Sequence, residues 1–122
     1  MIQIDGITYN VPVAELTRKA EFLDKYAERT ERGDLERELI GVYFNYQLKF
    51  GDTTDMVEYA RLWNKLTEPE EFHTVVVPDE NGAFVFKAYF SNVADKMLLF
   101  YKQKNYFNDL TVNFIAKSPA RR

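Results

Sequence analysis

His73 is the single histidine of this chain, and the chain contains no cysteine. The side chains from which most nucleophilic and metal chemistry is built are therefore nearly absent. A thiolate metal site and a two-histidine metal site cannot be assembled, and a Ser-His-Asp arrangement would have to run through His73. That residue follows Phe72 at the start of a β-branched run, where a structural or solvent-exposed role is expected. Carboxylates are plentiful, but Glu68, Glu70 and Glu71 cluster around Pro69, and the local sequence offers no apolar pocket to shelter one of them. Acid–base catalysis needs a carboxyl with a raised pKa in a dry pocket, so these three read as a solvated corner. The five glycines, Gly6, Gly33, Gly41, Gly51 and Gly82, are scattered and form no phosphate loop. Four fall at expected turns; Gly41 lies inside a strand pattern and implies a bulge or the close approach of another backbone. No catalytic, cofactor or metal site is expected, and the chain reads as no enzyme.

A length of 122 residues fits one domain, 1–122, that buries roughly two-thirds of its unfolded surface without staples. The lack of cysteine is consistent with assembly in a reducing cytoplasm. Met1–Asp5 carries no basic n-region, and no apolar run approaches the ~20 residues of a membrane span. A net charge of -3 argues against sequence-specific nucleic-acid binding. Ten Phe, eight Tyr and one Trp are enough for a bulky core with some rings left for an interface.

The long stretch Leu39–Phe50 organises the rest. Ile40, Val42, Phe44, Tyr46, Leu48 and Phe50 alternate with mostly polar residues, which predicts a strand with one buried face in a fixed register. Ahead of it, Ile2/Ile4 and Ile7/Tyr9 flank Asp5-Gly6, the signature of a two-residue hairpin. Residues 14–28 admit two readings. Leu16, Ala20, Leu23 and Ala27 have helical spacing, whereas Phe22, Asp24 and Tyr26 could share one face of a strand; we favour a hairpin with strands near 20–28 and 35–50. Behind the long strand, Asp55 with Glu58 resembles a capping box, and Met56, Tyr59, Ala60, Trp63 and Leu66 make an apolar helical stripe that Pro69 stops. Strands are predicted over 72–77, 83–90 and 110–116. Between them lie a loop at Pro78–Gly82, a turn at Ser91–Asp95, a strand or short helix at Met97–Tyr101, a turn at Lys102–Asn105 and, at the end, a polar tail Ser118–Arg122.

Between Glu15 and Glu38 there are fourteen charges, six basic and eight acidic. Such a segment is either a solvated surface or a projecting hairpin whose mixed charges fix register against a neighbour. Its tip would be Arg29, Thr30, Glu31, Arg32, Gly33 and Asp34, a stretch with no apolar residue to bury. These six residues are the candidate subunit interface.

The opening Ile2-x-Ile4-Asp-Gly-x-x-Tyr9, Arg29-Thr-x-x-Gly33-x-Leu35 running into Ile40-Gly41, one central helix, the strands around Val77-Pro78-Asp79 and Gly82, and the closing Leu110-Thr-Val-Asn-Phe114 together resemble small structural proteins of bacteriophage and prophage tail modules of Gram-positive hosts. The resemblance covers most of the chain as spaced residues and element order, with no catalytic signature. It implies a mainly β, tail-tube-like fold: an antiparallel β-sandwich or barrel of about six to eight strands flanked by one central α-helix. It also implies partners: copies of the chain in a ring, a hexamer being the candidate symmetry, and neighbouring phage tail proteins. The location implied is the virion tail, assembled in the host cytoplasm. The competing expectation is a small phage-encoded binding protein that inhibits or redirects a host factor.

Overall fold

The computed structural model describes residues 2–97 and 107–122. They form one mainly β architecture in the order β1 (Gln3–Ile4), β2 (Ile7–Thr8), β3 (Val13–Arg29), β4 (Leu35–Phe50), α1 (Met56–Leu66), β5 (His73–Asp79), β6 (Gly82–Met97) and β7 (Phe107–Ala116). The strands make a single sheet ordered β2-β1-β5-β6-β7-β4-β3, with every neighbour antiparallel. It is not closed into a barrel.

Local chemistry explains most boundaries. Asp5 (φ 51°) and Gly6 (φ 80°) are both left-handed, as the tight turn pairing Ile4 with Ile7 requires. The α1 start is half a capping box: Asp55 Oδ1 accepts the Glu58 N–H at 3.2 Å. The Glu58 carboxylate does not reach back to the cap. It accepts the Asn10 N–H at 3.2 Å and pairs with Arg61, tying the helix to the β2–β3 connection.

Register carries one apolar face across the sheet. Ile4 opposes Val75, Val75 opposes Phe86 and Val77 opposes Phe84. Phe90 opposes Phe114, and Tyr46 and Leu48 oppose Phe114 and Val112. Ile4, Val75, Val77, Tyr46, Leu48, Val112 and Phe114 form one buried cluster with Tyr59, Leu62 and Leu66 of α1, and Phe84, Phe86 and Phe90 pack against it half-buried. Leu62 is 1% exposed although the expected helical stripe omitted it, because the buried face is centred one residue away from that stripe. Ala60 is exposed and Met56 and Trp63 are half-buried. The sheet also curls. Arg18 of β3 reaches Glu80, in the β5–β6 turn, at 2.8 Å, though β7 and β4 stand between β6 and β3 in the hydrogen-bond order. The rings of Phe44 and Phe84 approach to 5.8 Å, and those of Tyr46 and Phe86 to 5.3 Å, across the same curl.

Residues 14–28 are strand, as the favoured hairpin reading has them, and β3 starts earlier than expected, pairing with β4 along nearly its whole length. Three expectations need correction. The buried face of the long strand is shorter than its alternation: Tyr46, Leu48 and Phe50 are buried, Val42 and Phe44 are half-buried, and Ile40 is 45% exposed. The cause is coverage: Phe84 lies against Phe44, and β7 pairs with β4 only from Tyr46 onward. Pro78–Gly82 is no loop, because Asp79 pairs directly with Gly82 across a two-residue turn. Ser91–Asp95 does not turn the chain. It is a bulged part of β6, with register shifts around Ala94 and a left-handed Asn92 at φ 53°. The elements expected between residues 98 and 106 lie outside the described residues.

Candidate functional site

The outer part of the β3–β4 hairpin, residues 23–40, has no fully buried residue. Beyond Gly41, the last buried residue of β4 on this side, six further steps along β4 to Leu35 correspond to roughly 20 Å of extended chain. Side-chain hydrogen bonds and ion pairs of residues 19–40 are, among the described residues, internal to this arm. Arg37 Nε meets Asp24 Oδ1 at 2.5 Å and the Arg37 guanidinium stands 5.4 Å from the Phe22 ring centroid. Lys25 and Glu38 are 3.9 Å apart.

The tip falls where the charge pattern placed it. Thr30 N–H donates to the Asp34 carbonyl at 2.7 Å, and Gly33 N–H donates to the Thr30 carbonyl at 2.9 Å. Thr30 Oγ1 accepts the Asp34 N–H at 3.2 Å, and Arg29 reaches the Gly33 carbonyl at 2.9 Å. Gly33 supplies the left-handed residue at φ 86°. Arg29, Thr30, Gly33 and Asp34 thus build the turn. Glu31 and Arg32 form no ion pair among the described residues, and their charges are free to meet another molecule.

Charge is only part of this surface. Phe22, Leu23, Tyr26, Leu35, Leu39 and Ile40 are between 42% and 59% exposed, so the strands flanking the tip hold apolar groups in water. The signal was present in the sequence. Arg18-Lys19, Asp24-Lys25 and Glu28-Arg29 put charges on both faces of β3, and Glu36-Arg37-Glu38 does the same for β4. A strand charged on both faces has no face to bury.

The polar cluster around His73 is of a different kind. His73 is 3% exposed; Nδ1 lies 2.7 Å from Asp5 Oδ2, and its ring stacks on Phe90 with centroids 4.6 Å apart. Asp5 also accepts the Thr74 N–H at 2.9 Å. Burial pushes the Asp5 carboxyl up. The hydrogen bonds from His73 and Thr74, with the His73 and Lys65 charges, outweigh it and hold the carboxyl below its ordinary value. Asp5, Glu68 and His73 bring potential ligand atoms within 4.8 Å of one another. The Lys65 ammonium, however, sits 3.5 Å from Asp5 and 3.2 Å from Glu68, so the two carboxylates already have a cation and a metal would compete with it. The arrangement fastens the β1–β2 turn, the end of α1 and the start of β5 to one another. Glu70 and Glu71 are exposed and take no part in it. On the far side of α1, Tyr59 Oη donates to Asp95 Oδ2 at 2.8 Å; burial, then this carboxylate, pushes the phenol well above its ordinary pKa.

No helix among the described residues is long and apolar enough to cross a membrane. Comparison with protein-family models, with curated proteins and with solved structures gives no match.

Proposed function

We propose that the chain is a structural protein of a phage tail, a tail-tube or tail-associated component that works by self-assembly into rings and by contact with neighbouring tail proteins. The observation that carries this reading is the arm: six large apolar side chains held in water on a hairpin that leaves the domain. Apolar surface of this kind, flanked by charge, is what an interface contains before its partner arrives. The resemblance in element order supplies the class of assembly, and the curled, open sheet is read as the tail-tube-like sandwich or barrel in its unassembled form. On this reading the chain catalyses no reaction and needs no cofactor. A heterologous contact, arm of one copy against the body of the next, closes into a ring when the rotation between copies allows it.

The test is particle size by light scattering and negative-stain microscopy over a concentration series, for the natural chain and for Glu31→Arg with Arg32→Glu, the two tip residues that take no part in building the turn. The natural chain is expected to form rings or stacked rings. The double reversal is expected to leave the melting temperature nearly unchanged, because exposed charges contribute little to folding, while lowering assembly through like-charge contacts. A natural chain that stays monomeric at every concentration and instead captures a host protein would replace this reading with that of a phage-encoded inhibitor.

A further inference from the structure

We propose that residues Pro119–Arg121 form a latch across the hinge of the β3–β4 arm and hold the arm in one direction. Four observations meet at this place. First, β4 carries an irregularity where the arm leaves the body: Leu23 pairs with Gly41 but Asp24 pairs with Leu39, leaving Ile40 as an extra residue, and a second shift follows between Asp24 and Tyr26. Bulges bend a strand and weaken its ladder locally, so this is where a two-stranded arm would swing.

Second, the chain that follows β7 crosses back to this point. Lys117 N–H donates to the Lys87 carbonyl at 2.9 Å, and the next residues then bond β4 through Val42 alone. Val42 N–H donates to the Arg121 carbonyl at 2.8 Å, and the Val42 carbonyl accepts from Ala120 at 2.8 Å and from Arg121 at 3.3 Å. Val42 and Arg121 form an isolated antiparallel bridge on the edge of β4 that β7 has already left. Third, Gly41 is shaped to the latch. A Cβ at this position would stand 2.7 Å from Pro119 Cβ and 2.9 Å from the Arg121 carbonyl oxygen, so any other residue at 41 would force the seated segment to shift. Its φ is not left-handed, hence close approach, and not turn geometry, is what calls for glycine here.

Fourth, among the described residues this bridge is the outermost backbone hydrogen bonding between arm and body. Past Val42 the side-chain contacts of the arm run within the arm itself. A segment that pairs at a single residue is weakly held, and its release costs only a few hydrogen bonds that water can replace. The latch therefore fixes the arm's direction while remaining easy to displace. This inference does not depend on the functional reading above, because it concerns how the arm stands and not what it meets.

The natural chain has no cysteine, so two spin labels can be placed without a background, on Glu31→Cys at the tip and on Val57→Cys, an exposed helix position. Their distance distribution is then measured by electron double resonance in the otherwise natural chain, in Gly41→Val, and in Ala120→Pro, which removes one donor to Val42 without touching the arm. Exchange of the Val42 amide is followed in parallel and should accelerate at least tenfold when the latch opens. The expected result is one narrow distance with the latch seated and a distribution at least twice as wide in a variant whose Val42 amide is freed. A freed amide with an unchanged narrow distance would show that the β3–β4 ladder alone directs the arm. A distribution equally wide in the natural chain would show that nothing holds it, and failure of every folded variant to free Val42 would show that these contacts are not what seats the segment. Each of these overturns the proposal. If Gly41→Val does not fold, Ala120→Pro and Pro119→Gly carry the same comparison.

Discussion

Three truncations along one face of β4 measure where the core ends: Leu48→Ala, Phe44→Ala and Ile40→Ala. Leu48 is 0% exposed and belongs to the central cluster, so its loss should cost about 2–5 kcal/mol, transfer and cavity terms together. Phe44 is half-buried against Phe84 at 5.8 Å. Part of its ring stays in water, and the truncation should cost about 2 kcal/mol, of which ~0.5–1.5 is the aromatic contact. Ile40 is 45% exposed and leaves no enclosed cavity, so about 1 kcal/mol or less is expected. Urea titration at a concentration where the chain is monomeric gives all three values. With a slope of about 1.5 kcal/mol/M, within the usual range for small domains, Leu48→Ala lowers the midpoint by roughly 1.5–3 M and Ile40→Ala by about 0.5 M. The slope should not change among the three. An Ile40→Ala cost equal to that of Leu48→Ala would refute the reasoning, because it would mean that the arm packs against the domain and that its apolar residues are core.

Other outcomes follow from the same geometry. Leu62→Ala should cost about 2–5 kcal/mol in thermal or urea unfolding, more than the exposed Ala60→Ser, which should lie within ~0.5 kcal/mol of zero. The Asp5 carboxyl sits below its ordinary value of 3.8 in the folded chain. Its stabilising contribution is therefore fully present above that value and is lost as pH falls through the lower folded one. Asp5→Asn should narrow the gap between neutral and acid stability, and equal acid sensitivity of the two chains in a pH series of melting temperatures would contradict the pairing with His73. Phe22→Ser with Leu23→Ser should leave the melting temperature within a few degrees of the natural chain, yet lower self-association at least tenfold in sedimentation.

Much of this architecture was legible because short-range chemistry dictated it. Asp5-Gly6 specified a turn with two left-handed residues, Asp55 specified a helix start, Leu110, Val112 and Phe114 specified a one-sided strand, and Gly41 announced a close approach that Pro119 and Arg121 make. What was not legible depends on coverage and on distant partners. A period of two says which side chains share a face, but not whether anything lies over that face; Ile40 and Leu48 look alike in sequence and differ in exposure because Phe84 lies across only part of β4. The turn-rich Ser91–Asp95 was absorbed as a bulge because β7 continues to pair on both sides of it. Asp5 and His73 are separated by 68 positions, and no local pattern joins them. Of the candidate site, the charged tip could be read, whereas the exposure of the apolar flanks could not: the alternation puts Ile40 on the buried face, yet it is 45% exposed.

Those flanks also bear on how the arm stays soluble and specific. A two-stranded hairpin is at best marginally stable alone, and one with exposed Phe22, Leu23, Tyr26, Leu35, Leu39 and Ile40 invites edge-to-edge aggregation. Three features oppose that outcome. Charges recur along β3, the bulges around Ile40 and Lys25 spoil a flat edge, and the segment bonded to Val42 occupies part of the free edge of β4. Arg37, bonded to Asp24 and lying over Phe22, stiffens the arm by joining its two strands through side chains as well as through the ladder. Generic strand addition is thus hindered, while the proposed assembly partner would dock by offering apolar groups against the flanks and charges against Glu31 and Arg32. On the proposed assembly reading, the arm would select its partner by side chains, which an edge of bare backbone could not do.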